Sequence, residues 1–203
     1  MYARKVKRQA LRLILCLALA PLAIPAASAS QERSGGSAEP VQRDCRSSVY
    51  GALGAWMADS VVSGPLGFVR ARRYAESRST YFRPLPDGRY RGLKLLAVVK
   101  TGWQARIVVP APQQRFVALA HHPSTFGKPV VPADGVHDET LIACPPGRPL
   151  LGPTEQAWTQ FNGEIVVAGR RCVLLHVYAS KHGKPWPSRP RLAFLPLGAA
   201  CPE

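Results

Sequence analysis

Cys172-Val173-Leu174-Leu175-His176-Val177-Tyr178 is the stretch that decides the fold class. In an extended chain successive side chains point to opposite faces. Val173, Leu175 and Val177 then share one face, and Cys172, Leu174, His176 and Tyr178 share the other. Outward from this run lie others of similar length: Leu93 to Val99, Ala105 to Val109, Phe116 to Ala120, Leu141 to Ala143, Ile165 to Ala168 and Leu192 to Leu197. Each is short, apolar and bounded by Gly, Pro or charge, which is the length and punctuation of strands. Gly-containing links separate them, and Ala168-Gly169-Arg170-Arg171 and Lys100-Thr101-Gly102-Trp103 read as tight hairpin connections. Asn162-Gly163 is a further turn signal. One short helix is expected near Ser48 to Met57, weakened by Gly51 and Gly54. Seven or more short strands with turns between them predict an all-β fold, an antiparallel Ig-like β-sandwich.

The N-terminus predicts export. Arg4, Lys5, Lys7, Arg8 and Arg12 precede an apolar run from Leu13 to Ala27, which closes on Ala27-Ser28-Ala29. A cationic start, an apolar middle and a small-x-small end make a cleavable signal peptide over residues 1–29. The competing reading is an uncleaved membrane anchor, but Pro21 and Pro25 interrupt the run and it falls short of the ~20 residues of a spanning helix. Cys16 would leave with the signal. Cys45, Cys144, Cys172 and Cys201 then remain, an even set that reads as two disulfides in an exported chain. No C-x-x-C spacing favours a thiolate metal site instead. If 172–178 and 191–197 form a hairpin, Cys172 and Cys201 share its open end. That predicts Cys172–Cys201 and leaves Cys45–Cys144 to tie the N-terminal segment to the sheet.

Residues 30–44 are polar and rich in Gly, Ser and Pro, a flexible lead-in. A single domain is expected from 45 to 203. Five of the 27 Lys and Arg fall within the signal and none of the 12 acids does, so the mature chain keeps a net charge of +10. Basic surfaces attract anionic polymers, and here an anionic cell-wall polymer or an envelope protein is the expected partner. Aromatics interleave with basic residues from Phe68 to Tyr90. No block of Lys and Arg or nucleic-acid motif accompanies them, so nucleic acid is not expected.

His121-His122 followed by Asp134, His137 and Glu139 gathers imidazoles and carboxylates at short range. They are the candidate metal ligands, and with them goes the alternative function of a metal-binding protein or hydrolase. His121 and His122 on a strand would point to opposite faces, so only one could join a given site. No catalytic signature such as G-x-S-x-G is present, and Gly64-Pro65-Leu66-Gly67 lacks the spacing of a phosphate loop. Catalytic residues and a cofactor are therefore not expected. Trp158 and Phe161 read as core. Trp103 and Trp186 flank turns and are the candidate contact surface.

A series of weak motifs in fixed order resembles a family of short secreted actinobacterial all-β proteins. The motifs are Ser63-Gly-Pro-Leu-Gly-Phe68, Lys94 to Val99 with Gly102, Ala105 to Pro110, Val117-Ala-Leu119 and Leu141-Ile-Ala-Cys-Pro145. Thr159-Gln-Phe-Asn-Gly163, Arg171-Cys172 and Leu197-Gly198 before Cys201 complete it, over residues 60 to 201. The resemblance implies a secreted or envelope-linked β domain and offers no catalytic residues. This chain departs from it at Gly163-Glu164-Ile165, where relatives carry Gly-Gly-Phe. An acid thus stands at a strand start and the aromatic is missing.

Overall fold

The computed structural model describes residues 41–49, 51, 53–147 and 157–202. The expected signal peptide and most of the lead-in lie outside them. Twelve strands follow one another along the described chain. They are β1 (Val41–Arg43), β2 (Val61–Ser63), β3 (Leu66–Phe68), β4 (Gly92–Lys94), β5 (Ala97–Lys100), β6 (Trp103–Val108), β7 (Val117–Ala120), β8 (Asp138–Ile142), β9 (Trp158–Phe161), β10 (Glu164–Val167), β11 (Arg171–Lys181) and β12 (Arg191–Leu197). The class is all-β and sandwich-like. Where an Ig-like sandwich has two sheets, the strands here fall into three: β1-β8-β6-β11-β12, β4-β10-β7 and β2-β3-β5-β9.

The opening heptapeptide lies in β11, and its faces are as read: Val173, Leu175 and Val177 are buried, while Leu174, His176 and Tyr178 are partly exposed. Val173, Leu175 and Val177 join Ile107, Leu141 and Leu195 of the same sheet in one core. Leu66, Phe68, Val99, Phe161, Leu119 and Ile165 of the two smaller sheets enter the same core. Burying a Val, Leu, Ile or Phe side chain contributes roughly 1.5–3 kcal/mol, so this shared cluster is what couples the sheets. Phe161 lies in that core, and Trp158 packs partly buried against the smaller cluster of Leu53, Val69 and Val98.

Both disulfides form as paired from the sequence. Cys172–Cys201 spans 4.9 Å between Cα atoms and closes the open end of the β11–β12 hairpin. Cys45–Cys144 spans 4.7 Å and follows the parallel pair β1–β8, in which Arg43 lies opposite Leu141. That pair corrects two expectations at once. β1 lies inside the expected lead-in and already belongs to a sheet, and one strand pairing among the described residues is parallel. A three-residue strand containing Gln42 and Arg43 has no apolar alternation to announce it. Parallel neighbours need a long connection, so the partner of β1 is also invisible locally.

The expected hairpins are sheet-to-sheet corners. Gly102 and Gly169 do sit at positive φ (78° and 76°), where glycine is favoured. Yet β5 pairs with β3 and β9, whereas β6 pairs with β8 and β11. Likewise β10 pairs with β4 and β7, not with β11, and the Asn162-Gly163 turn carries the chain from β9 to β10 in another sheet. A glycine turn fixes where the chain reverses and leaves open which strand it reaches. The run from Leu93 to Val99 is also divided, into β4 and β5, with Leu95 and Leu96 at the switch. Within the span of the helix expected near Ser48 to Met57, the described residues form a 3-10 segment, Gly54–Asp59, and a second 3-10 turn, Cys45–Ser47, precedes it. A four-residue α-helix, Ala111–Gln114, stands where no helix is expected, and Gln113 from it accepts the Leu174 N–H beyond the reach of β6.

Candidate functional site

Of the histidine and acid residues named as metal ligands, His121 and Glu139 are brought together and the others stand apart from them. Among the described residues no group of three or more His, Cys, Asp and Glu is placed to hold a metal ion. His121 ends beside β7 on the inner side and is fully buried with Glu139 of β8, Nδ1 to Oε2 2.9 Å. His122 points the other way, as the strand alternation required, and its Nδ1 meets Ser124 Oγ at 2.6 Å. Asp134 is exposed at the end of the 3-10 turn Pro132–Asp134. His137 Nε2 donates to the Pro132 and Gln114 carbonyls at 2.8 and 3.1 Å, tying that turn to the short helix. The physical reason is ordinary: each imidazole finds a nearer carbonyl, hydroxyl or carboxylate than a shared centre.

His121 and Glu139 instead form the heart of a buried pin. His121 Nε2 donates to the Leu95 carbonyl at 3.2 Å. The bond to Glu139 sets a carboxylate oxygen against the ring nitrogen inside the core. Arg43 of β1, buried beside them, donates to the His121 and Asn162 carbonyls at 2.5 and 2.6 Å and to the Ser47 carbonyl. Burial lowers the pKa of its guanidinium, and the Glu139 charge partly offsets this. Leu95 and Asn162-Gly163 are the two places where the chain switches between the smaller sheets, and Leu95 N–H also donates to the Gly163 carbonyl at 2.9 Å. The cluster therefore clamps both corners. With His121 and Glu139 fully buried, no solute reaches their reactive atoms, and the arrangement is a structural one.

Gly163 is part of this pin for a steric reason. A Cβ there would stand 2.6 Å from both the Cα and the Cγ of His121, closer than real Cβ contacts. Overpacking of this kind costs roughly 1–3 kcal/mol. Gly163→Ala should lower the midpoint of urea unfolding accordingly, whereas a mid-loop control, Gly88→Ala, meets no atom within 4 Å and tests only its positive φ.

The expected contact tryptophans are not open platforms. Trp103, in β6 opposite Lys181, packs partly buried against the core, and Trp186 is partly buried in the loop before β12. The exposed large apolar side chains described are Val62, Tyr81, Val131, Leu192 and Phe194. Three of them, Val62, Leu192 and Phe194, line an open groove of about 620 Å³ between the edge strands β2 and β12. Ser63 Oγ donates to the Leu192 carbonyl (3.2 Å) across that seam. Pro196, which has no N–H to offer, stands on the edge strand where such a residue limits pairing with other chains.

A second concavity is concave, basic and aromatic together. Arg78, Ser79, Phe82, Arg83, Gly169 and Arg170 line a cleft of about 480 Å³. Phe82 is buried beneath it, and the three arginines are exposed. Two backbone bonds build it: Gly169 N–H to the Phe82 carbonyl (3.1 Å), and Arg83 N–H to Thr80, closing the 3-10 turn Thr80–Phe82. Arg170 Nε donates to the Gly198 carbonyl at 2.6 Å, which fixes its stem and leaves the terminal nitrogens for solvent or a ligand. The next residue, Arg171, lies over the Phe116 ring at 3.9 Å with Arg115 at 4.5 Å from the same centroid. Burial lowers the Arg171 pKa, with Arg115 adding to the effect. Cations thus flank the corner at 168–171 on both sides, and among the described residues Arg78, Arg83 and Arg170 form no ion pair. The interleaving of aromatic and basic residues from Phe68 to Tyr90 was the sequence signal for this cleft; what it lacked was the link to Arg170, eighty-odd residues on. Comparison with known proteins adds no family: no protein-family model, no curated protein and no solved structure matches the chain.

Proposed function

We propose that this is an exported, non-catalytic binding domain of the cell envelope that holds an anionic wall polymer in the Arg78–Arg83–Arg170 cleft. The observation that carries the reading is the cleft itself, three exposed arginines over a buried phenylalanine without a carboxylate among its lining residues. Arginine suits phosphate and carboxylate groups because its planar fork donates two parallel hydrogen bonds. The two disulfides suit an oxidising compartment, and the residue 1–29 signal and the +10 mature charge support the same address and partner.

The test is titration of the mature protein with poly(glycerol phosphate), with dextran as the uncharged comparison. Each exposed charge contact is worth roughly 0.2–1 kcal/mol. An Arg78→Ala/Arg83→Ala/Arg170→Ala variant should therefore bind the polymer about 3- to 150-fold more weakly while keeping a cooperative unfolding transition. Wild-type affinity should fall steeply with salt, because bound counterions are released. Equal binding by variant and wild type would remove the cleft from the account. N-terminal sequencing of the exported protein separates a secreted chain, beginning near Ser30, from one that keeps residues 1–29 as an anchor.

A further inference from the structure

The segment from His122 to Val136, which does not assemble a metal site, encloses something else. Leu119 and Ala120 of β7, Pro129, Val130 and Val136 wall a cavity of about 220 Å³, with Ser124, Thr125 and Lys128 at its polar side. We propose that this cavity is a binding site for a short anionic amphiphile, a medium-chain carboxylate whose tail fills the apolar part and whose head meets Lys128.

Three observations carry this. The first is size. A dry cavity of about 150 Å³ lined by aliphatic and aromatic side chains takes up benzene, so this one suits a chain on the order of eight carbons. The second is the polar side. Ser124 Oγ is engaged with His122 Nδ1 and Thr125 Oγ1 donates to the His122 carbonyl, which leaves the exposed Lys128 ammonium as the donor for a ligand head. Lys128 forms no ion pair among the described residues. Glu164 is the acid nearby, and its Oε2 is held by the Gly127 N–H at 3.0 Å. The third is rigidity. Thr125 and Phe126 N–H groups donate to the His122 carbonyl, Val130 and Tyr90 exchange two backbone bonds of 2.9 and 3.0 Å, and Leu119 N–H donates to Val136 at 2.7 Å. The walls are thus set before any ligand arrives, and a preformed site binds without an ordering cost.

The experiment is calorimetric titration of the mature protein with hexanoate, octanoate and octanol. The wild type should bind octanoate roughly tenfold more tightly than hexanoate, since each of the two extra buried methylenes adds roughly three- to fourfold. It should bind octanoate more tightly than octanol. Lys128→Glu, a surface change, should weaken octanoate about tenfold and leave octanol unaltered; Val130→Phe, which fills the cavity, should abolish both. If Val130→Phe fails to fold, the Lys128→Glu comparison of the two ligands still decides. The Arg78/Arg83/Arg170 variant should bind octanoate like wild type, which separates this site from the polymer cleft. No octanoate binding, or octanoate affinity unchanged by Lys128→Glu, would overturn the proposal.

Discussion

Glu139→Ala should destabilise the protein by roughly 3–5 kcal/mol, the cost of breaking a buried pair and leaving its partner uncompensated. For a domain of this size that is a fall in Tm of about 6–20 °C. His121 would lose the partner of Nδ1 at 2.9 Å, and the Arg43 guanidinium would lose the one carboxylate that offsets its burial. His121 in turn holds Leu95 and shares Arg43 with Asn162, so both corners between the smaller sheets should loosen together. Hydrogen exchange would show this as early opening at the Leu95 amide, which donates to the Gly163 carbonyl. Replacing the pair as a whole is a different matter. Glu139 Oε1 is buried and has no hydrogen-bond partner among the described residues, and the idealised cost of burying charge is high. His121→Phe/Glu139→Leu should therefore lose much less than Glu139→Ala alone, and a double-mutant cycle reads the coupling directly.

Removal of the Cys45–Cys144 bridge should cost more than removal of Cys172–Cys201. In the chain-entropy account, closing loops of 99 and 29 residues differs by about 1 kcal/mol, roughly 4.7 against 3.6. The fold enlarges that gap. Cys172–Cys201 reinforces a pair of neighbouring strands already held by a seven-residue register. Cys45–Cys144 retains β1, which has three residues, one neighbour and no local connection to it, and which delivers Arg43 into the pin. Its 3-10 turn has a further, minor support: the Arg46 side chain bonded to Asp44 holds that carboxyl below its usual range. A carboxyl with a lowered folded-state pKa stabilises above its ordinary pKa and ceases to as pH falls through the lowered value. Cys45→Ser/Cys144→Ser should thus show the lower urea midpoint of the two variants. It alone should expose the Arg43 corner to hydrogen exchange.

Strand positions were the legible part of the fold, and strand partners were not. β11 is visible because one face of it is buried and the other is not, which is what period two records. β6, β7, β10 and β12 are visible as apolar runs between Gly and Pro. β1 is not, because three residues with Gln42 and Arg43 carry no such pattern, and its stability comes from a disulfide and a parallel neighbour far along the chain. The sheet-to-sheet corners were read as hairpins because Gly102 and Gly169 report a local reversal only. The same limit applies to function. His121 and Glu139 do meet, but inside the core, where Leu95 and Arg43 complete their hydrogen bonds. Arg78, Arg83 and Arg170 become one cleft only once the strand order brings residue 170 beside Phe82.

The most direct test of the envelope-binding account is co-sedimentation of the mature protein with purified cell wall at low and high salt, wild type beside the Arg78→Ala/Arg83→Ala/Arg170→Ala variant. The account predicts that wild type pellets at low salt and is released at high salt, and that the variant stays in solution under both conditions. Retention of the variant equal to that of wild type, or no salt-sensitive retention of either, would contradict it.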